Sequence, residues 1–464
     1  MIDSMHLRIV QTSFLRVCAI LLSLPATLSA QQDMSIFLQN NLIQSNIAGN
    51  PANMTGQKIA VALPDVHLGV QNGSFHLGDM FVKTNQGEFF NLEKAISKME
   101  EAGNKHRSFF DVSGLALVMR AGEQTQFSFS QSFRSGFQMK YPQSLAGVAW
   151  YGNAAYLDQT LDLSFVTSVI AYNNIALGMA RKVSDRLTFG ARLNILSGMA
   201  CMNTVDGQLK MRTSGENYQL SIDSDLQLQT VGMPDLTKEG IRDIRTEEIK
   251  ANAFSWSNPG VSLDLGITLK PVEALEMGLS VSGLGGIAWS KRSLDQSSRG
   301  ERTFEGVTIN LFDQQEDEFT GISLQDSVFG VLGLKTATAA FTSALPVRAL
   351  ATARYTDGSN RSYGAALQYI SWNGVSGAGL SAQIQRQAGR VLSLGAMAGF
   401  NTFSGFQAGA SAVFKLGPVQ IFFISDDIIP FFIPDAGGGL HFRGGINIVP
   451  GTKKAKTVMP EPVG

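Results

Sequence analysis

Charge is what this sequence has least of. Only 16% of its 464 residues are Asp, Glu, Lys or Arg, and 37 basic against 38 acidic side chains leave a formal net charge of −1, where an average domain carries about 25% charged residues. A near-neutral chain has no basic stripe to neutralise phosphates, which excludes a nucleic-acid partner. Cysteine is nearly absent: Cys18 falls in the N-terminal export signal described below and Cys201 stands alone, so disulfide frameworks and Cys-rich metal sites are excluded. The five His include no H-E-x-x-H pair and there is no G-x-S-x-G, so neither metal catalysis nor a serine hydrolase is expected, and no cofactor. Gly283-Leu-Gly285-Gly286 resembles a truncated phosphate-binding fingerprint, but no helix follows it, and it reads as a hairpin turn. No apolar run reaches the 18 or more residues of a membrane helix. Apolar residues nonetheless make up 44% of the chain, too many for disorder.

The apolar residues are distributed in two ways. At the N-terminus Arg8 and Arg16 precede the short run Val17–Leu24, then Pro25 and the small pair Ser29-Ala30, which predicts a secretory signal peptide over residues 1–30 cleaved after Ala30. Beyond it the dominant pattern is alternation. Val261, Leu263, Leu265, Ile267 and Leu269 interleave with Ser262, Asp264, Gly266, Thr268 and Lys270, and the same period of two runs through 187–195, 218–229, 275–282, 406–415 and 440–449. These strands are about 9 to 12 residues long, and at ~3.3 Å per residue with a tilt of about 40–45° they rise roughly 25 Å, the height of an outer-membrane apolar band.

Short turns at 182–185, 270–273, 356–359 and 415–418 join several strands into antiparallel hairpins, with longer connections elsewhere. The expected fold is therefore all-β: an antiparallel transmembrane β-barrel of about 14 strands, bacterial barrels having even numbers. Its organisation reads as a signal peptide (1–30), an N-terminal lead-in or plug (31–56), the outer-membrane barrel (57–449) with a large extramembrane loop at 289–344, and a polar tail (450–464). Asp223, Asp225, Asp264, Lys270 and Glu276 lie on the polar strand faces and are expected to face a water-filled lumen, while Tyr218, Trp256, Tyr355, Trp372 and Phe414 suit interfacial girdles. Short helices are expected in connections at 91–103 and 142–152, a charged segment at 233–250, and a small hairpin around 304–311. Alternation alone leaves a soluble periplasmic β-sandwich open as the alternative, because its strands alternate too.

Two stretches carry a family resemblance. Ser45-Asn-Ile-Ala-Gly-Asn50-Pro51-Ala52 is similar to the Asn-Pro-Ala segment near the mature N-terminus of long-chain fatty acid transporter-like barrels. Ser425-Asp426-Asp427 and the closing Arg443-Gly-Gly445-Ile-Asn447 resemble the end of a Bacteroidota outer-membrane barrel family of unknown function. That family often has Ser-Asp-Asn ahead of an Arg-x-Gly-x-Asn final strand, so Asp427 departs from the pattern, as does the polar tail in place of a terminal aromatic. The resemblance implies a bacterial outer-membrane address, with outer-membrane lipid as a partner. It also implies that residues 33–55, including Asn50, Pro51 and Ala52, plug the lumen; a loosely packed lead-in to the first strand is the other reading.

Function is read as non-enzymatic. A transporter or channel for small apolar molecules would carry an apolar pocket near the plug and a kinked strand marked by Gly or Pro. A structural scaffold for a cell-surface or secretion protein would instead have a lumen filled by polar side chains and large ordered loops.

Overall fold

The computed structural model describes residues 34–39, 42–84, 87–233, 256–304, 332–357 and 360–450. The signal peptide, almost all of the 233–250 segment, the hairpin expected around 304–311 and the tail from 451 lie outside the described residues. The strands are β1 (Ile59–Asn72), β2 (Phe81–Thr84), β3 (Gly87–Phe90), β4 (Asn104–Ala121), β5 (Thr125–Tyr141), β6 (Thr160–Asp162), β7 (Val166–Lys182), β8 (Leu187–Thr213), β9 (Leu220–Val231) and β10 (Pro259–Val272). They continue as β11 (Leu275–Trp289), β12 (Ser293–Phe304), β13 (Lys335–Thr338), β14 (Phe341–Ala344), β15 (Val347–Thr356), β16 (Arg361–Trp372), β17 (Val375–Ala388), β18 (Leu392–Asn401), β19 (Gly405–Leu416), β20 (Val419–Ser425) and β21 (Gly439–Ile448).

Fourteen of these close a ring in the order β1-β4-β5-β7-β8-β10-β11-β15-β16-β17-β18-β19-β20-β21, every neighbour antiparallel, with β21 returning to β1. Closure gives every strand of the wall two partners and leaves no edge strand. The ring is inside out: along β10, Val261, Leu263, Leu265, Ile267 and Leu269 are exposed, while Ser262, Asp264 and Thr268 are buried. An apolar exterior around a polar interior is the arrangement of a transmembrane barrel, and it excludes the sandwich. Among the described residues no helix is long and apolar enough to cross a membrane.

The two ends of the barrel differ. One carries the tight turns after β4, β7, β10, β15, β17 and β19 together with the start of β1 and the end of β21. The other carries the long connections, including the helices Glu93–Lys98 and Gln143–Tyr151, beside short turns after β16 and β18. There β8 runs on past the ring and pairs with β9, which pairs with β12 and through it β13. This extension has a core of its own, in which Leu209, Leu220, Ile222, Leu226 and Leu228 pack with Val148 and Leu332.

Several expectations are corrected here. Asp223 and Asp225 do not face the lumen: β9 stands outside the ring, its apolar face is turned to the extension's core, and Asp225 pairs with Arg299 at 3.0 Å on the polar side. The glycines at 283–286 form no hairpin turn; they lie within β11, where an extra residue shifts its register against β10 and Gly283 takes φ +80°. Trp372 forms no girdle, because its side chain is buried on the inner face with Ile170 and Leu196, whereas Tyr355 stands on the outward side of β15, opposite Tyr363, with its side chain largely covered.

Candidate functional site in the lumen

Residues 34–39 and 42–55 lie against the buried face of the ring. Asn50, Pro51 and Ala52 sit opposite a notch of glycines on three adjacent strands. A Cβ at Gly190 would lie 2.5 Å from the Pro51 carbonyl oxygen, one at Gly266 would lie 3.0 Å from Pro51 Cδ and overlap Asn50 Oδ1, and one at Gly278 would lie 3.1 Å from Asn50 Nδ2. Only glycine lets the segment's backbone come this close. Asn50 fastens it there: its Nδ2 donates to the carbonyls of Ile267 (2.9 Å) and Leu279 (3.4 Å), and its Oδ1 accepts from the Ala52 N–H (2.9 Å).

Further along, the segment is held by side chains of the wall. Arg192 donates through Nε to Asp264 (2.8 Å) and through its fork to the carbonyls of Asn46 (2.8 Å), Ile47 (2.6 Å) and Gly49 (3.4 Å). Arg348 donates to the Ala48 carbonyl and lies 4.8 Å over the Phe37 ring. Gln44 and Asn447 exchange reciprocal amide bonds of 2.7 and 3.0 Å. Asp426 accepts from the N–H groups of Met34 (2.7 Å) and Ser35 (3.1 Å). Met34, Ile36, Leu38 and Leu42 pack on Leu350, Val413, Phe422 and Ile424.

Asp426 is itself positioned by a buried chain. Its N–H donates to His441 Nδ1 (2.9 Å), His441 Nε2 is 3.1 Å from His67 Nε2, and His67 Nδ1 is 3.3 Å from Asp111 Oδ2. One pair of tautomers satisfies all three contacts with neutral rings: His441 carries its proton on Nε2 and donates to His67, which donates from Nδ1 to Asp111. Arg443 pairs with Asp65 at 2.9 and 3.0 Å. Of the other residues expected in the lumen, Asp264 is buried there, whereas Lys270 and Glu276 sit beside the tight-turn rim, where Glu276 bonds Lys270 (2.8 Å) and Arg354 (2.5 Å).

A chamber of about 100 Å³ lies beside the segment, lined by the guanidinium groups of Arg107, Arg134, Arg192 and Arg348 and by Tyr172, Leu196 and Trp372. Trp372 and Leu196 belong to an inward cluster with Trp289 and Leu345. The wall is irregular around this chamber. In β1 and β4 the ladder is interrupted together at Leu63-Pro64 and Gly114-Leu115, and the inward set of β1 changes from Ala60 and Ala62 to Asp65 and His67. Bulges re-aim side chains in this way beside functional sites, and they are where a strand tolerates proline.

Asp427 follows Asp426 in the β20–β21 connection, outside the membrane-spanning strands. Burial pushes its carboxyl up to about 7, opposed in part by the Ile429 N–H and by Gln407, and its Oδ2 has no hydrogen-bond partner. A carboxyl raised on folding contributes full stability below its unfolded value and loses it as pH rises through the folded one. Asp427→Asn is therefore expected to stabilise this connection by about 2–4 kcal/mol at pH 8 and to change little at pH 4. Amide exchange of residues 428–438 at the two pH values checks this; equal protection in both proteins at pH 8 contradicts it.

A family model matches residues 51–426. The chain belongs to that family, the family of unknown function DUF5723. Among solved structures, a Pseudomonas aeruginosa FadL homologue aligns with a TM-score of 0.45 at 12% identity, over 92% of this chain and 99% of that one. The Pseudomonas putida toluene transporter TodX aligns at 0.41 and 8%, over 91% and 94%. The Ralstonia pickettii toluene transporter TbuX aligns at 0.41 and 9%, over 91% and 95%. No curated protein matches. Within this member of DUF5723, three of the four C-terminal motif residues reach functional neighbours: Asp426 and Asn447 bond residues 34–44, and Arg443 neutralises Asp65. Arg192, Arg348 and the notch glycines were not recognisable as site residues from sequence.

Proposed function

We propose that this protein is an outer-membrane transport barrel for small molecules with an apolar part, closed at rest by residues 34–55 acting as a plug. The observation that carries this reading is the way the lumen is occupied. A lumen filled by side chains of its own wall has nothing to remove, whereas here a separate stretch of chain fills it, held by hydrogen bonds to Arg192, Arg348, Asp426 and Asn447 and from its own Asn50, together with the apolar packing of Met34, Ile36, Leu38 and Leu42. The interrupted ladder at Pro64 and Gly114 adds the kinked strand that a transporter calls for, although the chamber is half cationic rather than apolar. The ordered extension built on β9, β12 and β13 favours a second reading, a scaffold that offers this face to a cell-surface or secretion protein.

Conductance separates the two. Asn447→Ala strands the Gln44 amide at a cost of about 1–3 kcal/mol, which at 1.4 kcal/mol per decade raises the open population about tenfold. In planar bilayers the variant is expected to open that much more often than the parent. If both stay silent while migrating as folded, heat-modifiable barrels, the transport reading falls, and a stoichiometric protein partner recovered with the barrel supports the scaffold.

A further inference from the structure

We propose that the lumenal chamber binds a small organic carboxylate, and that this ligand competes with the carbonyls of residues 46–49 for Arg192 and Arg348. The inference rests on the plug reading and adds to it the ligand class and the means of release. Four guanidinium groups line the chamber (Arg107, Arg134, Arg192 and Arg348) against two carboxylates, Asp111 and Asp264, so its walls carry an excess of two positive charges. Arginine does not surrender its proton in a protein. Positive charge withdrawn from water costs several kcal/mol per ion unless an anion compensates it.

The apolar lining selects the rest of the ligand. Tyr172, Leu196 and Trp372 face the chamber, and they suit a planar or short aliphatic body rather than a fully hydrated inorganic ion. Size limits that body. At a liquid share of about 30 Å³ for each water, a chamber of about 100 Å³ has room for roughly three waters, which limits the body to one small ring or a short chain and excludes a long acyl chain.

The same geometry couples binding to the plug. Arg192 gives its Nε to Asp264 and its two terminal nitrogens to neutral carbonyls, while Arg348 reaches the Ala48 carbonyl. A hydrogen bond from guanidinium to carboxylate is roughly twice as strong as one to a neutral acceptor. A carboxylate entering the chamber therefore takes these donors, and residues 46–49 lose the contacts that hold them to the wall.

The full-length protein in detergent, titrated with sodium benzoate at constant ionic strength, tests both parts. Trp372 reports binding, assigned by comparison with Trp372→Phe, and a thiol at Ala48→Cys in a Cys201→Ser background reports release through its rate of maleimide labelling. The expected result is a saturable fluorescence change with benzoate but not with neutral benzyl alcohol. It should weaken about tenfold or more in Arg134→Gln, a position that makes no bond to the plug, and residue 48 should label several-fold faster in benzoate. An equal response to benzyl alcohol, tighter saturation by palmitate than by benzoate, or indifference to Arg134→Gln overturns the carboxylate site. Saturable binding with unchanged labelling overturns the competition. The plug reading is tested separately by the ligand-free conductance of the notch variant argued below.

Discussion

Gly266→Leu is expected to turn a closed barrel into a conducting one. The side chain would enter the space that Asn50 and Pro51 fill, since even a Cβ at this position overlaps Asn50 Oδ1 and comes within 3.0 Å of Pro51 Cδ. Forcing extra atoms into such a contact costs about 1–3 kcal/mol. Displacing Asn50 also forfeits its bonds to the Ile267 and Leu279 carbonyls, worth about 0.5–1.5 kcal/mol each. A total near 3 kcal/mol multiplies the open population about 100-fold. The wall itself should be unharmed, because a glycine inside a strand weakens it and leucine does not. Single-channel recording, with Val261→Leu on the exposed face of the same strand as control, reads the result. A folded Gly266→Leu barrel that stays silent would mean that residues 50–52 do not close the lumen. Gly190, which pairs with Gly266 across the ladder and touches Pro51 from the neighbouring strand, should behave in the same way.

The wall of this barrel was legible because membrane strands write themselves at period two. The run from Val261 to Leu269 gave the two faces of β10 correctly, although the strand itself is longer, 14 residues from Pro259 to Val272. The equally regular run from Tyr218 to Gln229 misled, since alternation shows that a strand has two faces and not which face meets the core. In β9 the apolar residues turn inward onto Val148 and Leu332, brought from distant parts of the chain, and the aspartates turn to solvent. Asn50-Pro51-Ala52 could be singled out through resemblance, yet its receptor could not. Gly190, Gly266 and Gly278 become one notch only when the register of three strands is known, and many of the 48 glycines look alike in sequence. Arg192 and Arg348 were hidden for a related reason: each stands singly on a polar face, and neither shows its partner until the N-terminal segment is laid beside the wall. The girdle reading of Trp372 failed because position near a strand end fixes height but not side, and Trp372 alternates in step with the inward Gln368 and Ile370.

Asp264→Ala should cost the barrel about 3–5 kcal/mol, the penalty for leaving a buried charge without its partner. Arg192 and Asp264 are both buried at 2.8 Å, and the same carboxylate accepts from Asn194 Nδ2 (3.0 Å) and from the bulged Gly283 N–H (2.8 Å), so its loss strands three donors at once. Removing both charges is a different matter. In Arg192→Met with Asp264→Asn, the asparagine oxygen can still accept from the Gly283 N–H while the Asn194 amide turns to accept from the new Nδ2, no ion remains to be desolvated, and replacing a buried pair by neutral groups is often neutral or stabilising. The double variant is therefore expected to unfold in urea close to the parent while Asp264→Ala unfolds well below it. The two functions of Arg192 then come apart. The carbonyls of Asn46, Ile47 and Gly49 have lost their donor in the double variant, so residues 34–55 should become open to protease although the ring is intact. A stable double variant whose segment stays protected would show that Arg192 braces the wall without latching the plug. Exposure of the segment in a stable ring would assign the closed state to this one guanidinium more than to the apolar packing of Met34, Ile36 and Leu38.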